Sequence, residues 1–221
     1  MIPRNKTFLL YSLGFISVAL MLFVPAGSFN YWQAWIFMVV LFTPPIFVIA
    51  YFSKRDPELL KKRVQFKEKE IRQKTIIKTS KWIFLIGMFV PGLDYRYGWS
   101  SVPVWFVILS DIIVFLGYVL IFFVFKENSY ASRIIEVQEN QKVITTGPYS
   151  VIRHPMYVGV TLMYVFMPIA LGSYWALLFF VPIIAIVVFR ILNEEKVLRR
   201  GLAGYEEYMK KVRYRLVPGI W

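Results

Sequence analysis

The sequence predicts an all-α fold: a multi-span transmembrane helix bundle of five or six spans, with a C-terminal helical hairpin and polar cytoplasmic segments. Three observations predict it. Apolar residues make up 58% of the 221 positions and mean hydropathy is +0.57, whereas soluble domains run at about 45–50% apolar. These residues gather into runs near the roughly 20 needed to cross a hydrocarbon core as a helix. Finally, the basic residues collect on one side of those runs.

The first run, 8–24, follows a short basic start at Arg4 and Lys6. Pro25, Ala26, Gly27 and Ser28 make a poor signal-peptide cleavage site, so an uncleaved first span is expected. Runs 31–52 and 102–125 are further spans. The stretch 156–192 is too long for one span, and Leu171, Gly172 and Ser173 break it into a tight hairpin. Segment 82–93, ending near Pro91 and Gly92, is short and reads either as a tilted or partial sixth span or as an interfacial segment. Six spans put both termini on one side. Every Lys and Arg except Arg96 then falls in 1–7, 53–81, 126–155 or 190–221, which the positive-inside rule makes cytoplasmic.

Two regions follow. Residues 1–125 hold the N-terminal spans and a basic cytoplasmic loop, 53–81, expected to be partly helical and solvated at the lipid headgroups. Residues 126–221 hold a polar loop, the hairpin and a C-terminal segment. The formal net charge of +13 suits cytoplasmic Lys and Arg beside anionic lipid, and no nucleic-acid partner is expected. Absence of cysteine excludes disulfides, thiolate catalysis and Cys-ligated metal, and a single histidine, His154, leaves no His-based metal cluster. No Walker A loop, no G-x-G-x-x-G after a strand and no Ser/His/acid trio occurs.

Chemistry concentrates at the cytoplasmic ends of the hairpin. In 147–159, Pro155 suits the first turn of the following helix, which sets Arg153 and His154 at its positive dipole end, a place for a carboxylate or phosphate. The competing reading is an interface anchor, with Tyr149 and Tyr157 in an aromatic belt. Where the last span leaves the membrane, Arg190, Asn193 and Glu194 share a helical face, and Glu195 points about 100° away. Glu194 offers an acceptor for an amine, hydroxyl or adenine; an i,i+4 pair between Arg190 and Glu194 is the plainer alternative. The hairpin brings both segments together, so that His154, Tyr157, Glu194 and Glu195 can face one cavity. Asp111, inside the 102–125 span, reads either as a functional intramembrane carboxylate or as a partner in a structural hydrogen bond beside Ser110, and is left out of the site.

Residues 127–221 resemble the isoprenylcysteine carboxyl methyltransferase and phospholipid methyltransferase superfamily. The resemblance rests on Gly147, Tyr149, Arg153, His154, Pro155, Tyr157 and Gly159, then Arg190, Glu194 and Glu195, then Gly204, Tyr205 and Tyr208, with a closing stretch over 212–219. It implies an integral membrane methyltransferase with S-adenosyl-L-methionine as methyl donor, held by cytoplasmic segments. Tyr149, Arg153, His154, Tyr157, Glu194, Glu195 and Tyr205 are then cofactor contacts, with Gln141 where the family often has His. Arg190 and Glu194 become the catalytic pair, Arg190 holding an acceptor carboxylate or phosphate. The implied acceptor is a lipophilic or lipid-modified molecule reached through the membrane lipid, methylated on a carboxylate, amine or thiol. The implied location is a multi-pass protein of the cell inner membrane or endoplasmic reticulum, with termini and active site cytoplasmic. An NADPH-dependent membrane sterol or isoprenoid reductase shares part of the pattern, but paired Glu194 and Glu195 argue against it. A non-catalytic membrane protein is the third alternative.

Overall fold

A computed structural model describes residues 4–64, 71–132 and 134–221, with side chains over 9–63, 82–132 and 134–221. The chain is helical, with no strand among the described residues. In order it forms α1 (Arg4–Ala26), α2 (Trp32–Arg55), α3 (Pro57–Val64), α4 (Ile71–Tyr97), α5 (Val104–Glu127), α6 (Pro155–Ala170), α7 (Leu177–Gly201) and α8 (Tyr205–Lys211), with a 3-10 turn at Gly147–Ser150.

Helices α1, α2, α5 and α7 are long and apolar enough to cross a membrane. Side by side with α4 and α6 they form a closed ring, in the order α1, α4, α7, α6, α5, α2. Segment 82–93 therefore does not lie flat at an interface: it is the inner stretch of a 27-residue helix about 40 Å long, wedged between α1 and α7. Its glycines explain the fit. A methyl on Gly92 would stand 2.5 Å from the Leu22 carbonyl, and one on Gly87 2.8 Å from the Phe180 ring, so only glycine lets α4 approach this closely. Polar residues early in α4 dilute the apolar signal, which is why the run reads short in sequence. Helix α6 has 16 residues, about 24 Å, less than the hydrocarbon thickness. The expected break is present: Gly172 takes φ +73° and turns the chain from α6 towards α7.

The two ends of the ring differ. Opposite the basic segments, buried Asp94 accepts from Ser100 N and Oγ, both at 2.7 Å, and from Ser173 Oγ, while Tyr31 Oη donates to the Leu171 carbonyl. These contacts pin the hairpin turn to α2 and α4. At the basic end, α3 is not simply solvated. Lys62 donates to the Ser129 carbonyl and Arg63 to the Ser132 carbonyl, each at 3.1 Å, and the Arg63 guanidinium lies over the Phe125 ring. The basic loop is thus tied to segment 128–132; residues 65–70 fall outside the described chain.

The structural hydrogen bond open to Asp111 is not made among the described residues. Ser110 Oγ donates to the Phe106 carbonyl instead, and both carboxyl oxygens of buried Asp111 lack a hydrogen-bond partner among the described residues. A serine inside a helix satisfies its hydroxyl on the carbonyl one turn back, which takes it away from its neighbour.

Candidate functional site

The site starts from helix ends. Pro155 opens α6, so the chain before it must leave the helix, and residues 147–154 fold beneath the bundle. The C-terminal segment pairs with them: Arg153 N donates to the Tyr214 carbonyl and His154 N to the Arg215 carbonyl, each at 3.0 Å. On α7, Glu194 and Glu195 diverge around the helix.

Between these parts lies a cleft that opens to solvent, with about 850 Å³ of space between its walls, open solvent included. Gln141, Tyr149, Arg153, His154, Tyr157, Arg190, Glu194 and Tyr205 all line it. Across the hairpin, Tyr157 Oη donates to Glu194 Oε2 at 2.7 Å, and Arg190 Nε stands 3.4 Å from the same hydroxyl. The convergence expected from the hairpin is therefore present for His154, Tyr157 and Glu194, and Arg190 joins them.

Glu195 is the exception. It does not line this cavity; its carboxylate is buried at the centre of an ion network. Oε1 accepts from Arg153 Nε at 2.8 Å and lies 3.3 Å from His154 Nε2, and Oε2 accepts from Arg215 Nε at 3.0 Å. The side chain is 4% exposed, against 28% for Glu194. The turn of about 100° between successive helix positions separates the two neighbours. Arg153 also departs from the anion-binding picture at the helix start. Besides Glu195 it donates from Nη1 to the Val212 and Arg213 carbonyls at 2.8 and 2.6 Å, so these donors hold the C-terminal segment in place.

The phenols are neutral groups here. Burial pushes the Tyr149 hydroxyl up to about 12, although it accepts from Asn128 Nδ2 at 2.8 Å, which acts the other way. Burial, followed by the carboxylates of Glu195 and Glu194, raises Tyr205; burial, followed by Tyr149, raises Tyr208. Tyr208 Oη donates to the Tyr149 carbonyl at 2.7 Å, whereas the buried Tyr205 hydroxyl has no partner among the described residues. An unpaired phenol on a cavity wall costs free energy unless a ligand supplies its partner.

Sequence reasoning did not single out Asn128, Tyr208 or the wall of 130–132 and 134–136 as site residues. Tyr208 carried a signal, its place with Gly204 and Tyr205 in the resemblance; Asn128 and the wall carried none, because their place depends on α3 holding the 128–132 segment.

These features define a helical membrane protein with a cavity at the basic end of its bundle, bordered by both helices of the α6–α7 hairpin. Residues 105–203 match the family model of phospholipid methyltransferase, a likeness that suggests a membrane methyltransferase. The match runs from α5 to just past α7 and contains every cavity residue named from sequence except Tyr205. No curated protein matches the chain.

Proposed function

We propose that the protein is an S-adenosyl-L-methionine-dependent methyltransferase whose acceptor is lipophilic or membrane-associated and is methylated on a carboxylate, amine or thiol. The observation that carries this reading is the Tyr157–Glu194 hydrogen bond with Arg190 beside it, on a cavity that joins the loops to the inner ends of α6 and α7. The residues suit the cofactor: a partly exposed carboxylate for its cationic and hydroxyl groups, neutral phenols for its rings, and an unpaired Tyr205 hydroxyl awaiting a partner.

Bound there, S-adenosyl-L-methionine supplies an activated methyl, so that alignment of the acceptor supplies most of the acceleration. Tyr157 fixes the orientation of the Glu194 carboxylate, which accepts from the cofactor's donors. Arg190, nearer the membrane on the same helix face, holds an acceptor carboxylate or phosphate in line. His154 and Gln141 border the loop side, where the charged cofactor enters from the cytoplasm. The lipophilic acceptor enters from the bilayer.

Membranes containing the protein, incubated with methyl-labelled S-adenosyl-L-methionine, are expected to yield a labelled lipid-soluble product that Glu194→Gln membranes do not. In detergent, S-adenosylhomocysteine should raise the melting midpoint and NADPH should not. Stabilisation by NADPH alone would overturn the proposal.

A further inference from the structure

A second cleft, of about 700 Å³, opens on the other side of α7. Lys196, Arg199 and Arg200 enter it from the inner end of α7, and Arg215 from the C-terminal segment. Spaced i, i+3 and i+4, the three α7 cations share one helix face and repel one another. None of them forms an ion pair among the described residues. Arg215 has its partner in Glu195, but that carboxylate already serves Arg153. Glu206 is the other acid on the cleft, so positive charge is in excess.

The positive-inside rule asks only that basic residues follow a span. It does not ask that four of them, from two separate segments, converge on one concavity. The apolar lip completes the pattern. Leu192, 44% exposed, lines the cleft one helical turn before Lys196, and Phe189 continues that exposed apolar surface along α7. A ligand that fits both has a phosphate at one end and hydrocarbon at the other.

We propose that this cleft binds the phosphate of an anionic phospholipid headgroup at the basic end of the bundle, with Lys196, Arg199, Arg200 and Arg215 as its cations and Leu192 beside the start of its chains. Basic pockets at the inner membrane face recognise headgroups in this way. The inference stands apart from the methyltransferase reading, because the cleft shares no wall with the Tyr157–Glu194 cavity except the buried Glu195 network.

The full-length protein in neutral detergent is titrated with phosphatidylglycerol, phosphatidylcholine or inorganic phosphate while its thermal unfolding is followed. Phosphatidylglycerol at tenfold excess over its dissociation constant should raise the midpoint by roughly 3–6 °C, with no rise from phosphatidylcholine. The rise should vanish in the variant combining Lys196→Gln, Arg199→Gln and Arg200→Gln, and persist in Lys61→Gln, which removes a cation outside the cleft. Should the triple variant not fold, Lys196→Gln and Arg200→Gln alone must each reduce the rise. An equal response to phosphatidylcholine, an equal response to inorganic phosphate, or an undiminished response in the cleft variants would overturn the proposal.

Discussion

Tyr157 on α6 and Glu194 on α7 meet through a 2.7 Å hydrogen bond from phenol to carboxylate, although 37 positions separate them in the chain. The hairpin turn at Gly172 makes that meeting possible. Ile191, fully buried among Tyr157 and Val187, holds the two helices in the register that it requires.

Because the bond orients a carboxylate that is still 28% exposed, its removal should affect ligand binding more than folding. Glu194→Gln and Tyr157→Phe are each expected to weaken S-adenosylhomocysteine binding by roughly ten- to a hundredfold, since a hydrogen bond to a charged group contributes about 1.5–3 kcal/mol. Calorimetric titration in detergent measures this. Unchanged affinity in both variants would remove Glu194 from the cofactor site.

Its neighbour should behave in the opposite sense. Glu195 neutralises Arg153 and Arg215 from a 4% exposed position, so Glu195→Ala leaves Arg153 as an uncompensated buried charge. Breaking such a pair costs roughly 3–5 kcal/mol, and thermal unfolding should register the loss even without ligand. Glu194→Gln should leave the ligand-free midpoint nearly unchanged. If the two variants melt alike, the division between a ligand-facing and a structural glutamate is wrong.

That division marks where sequence reasoning stops. Helical periodicity separated Glu194 from Glu195 by angle, and the break at Gly172 brought the first of them to Tyr157. Nothing in the spacing told that Arg215, twenty positions on, would return to close an ion network on the second. The depth of α4 was hidden for a related reason. Its apolar run is short, and what seats it in the ring is the absence of side chains at Gly87 and Gly92, a packing fact to which hydropathy is blind. The longer runs, whose burial needs no partner, were legible directly.

Helices α5 and α6 also approach each other closely at glycines. A methyl on Gly159 would lie 2.8 Å from the Gly117 carbonyl, and one on Gly117 2.9 Å from the Gly159 carbonyl. Backbone cannot move aside as a side-chain tip does, so the helices must part. Gly159→Ala and Gly117→Ala should each cost roughly 1–3 kcal/mol. The double variant should cost less than the two together, because helices already separated by one methyl have room for the other. Additive losses in melting experiments would show that the two glycines do not share one contact.

Asp111 gives the sharpest test of the bundle interior. It is 3% exposed, seven positions into α5, with neither carboxyl oxygen hydrogen-bonded among the described residues. It lines neither of the two cavities at the basic end. A buried polar group without a partner costs about 1–3 kcal/mol, and replacing it by an apolar group of the same shape recovers that cost. Leucine matches aspartate in branching, so Asp111→Leu should raise the melting midpoint by several degrees and leave methyl transfer intact. A lower midpoint would mean that the carboxyl group stabilises the fold through an interaction that its surroundings do not reveal. Loss of transfer with the midpoint preserved would instead connect this carboxyl, from the far half of the bundle, to the reaction at the basic end.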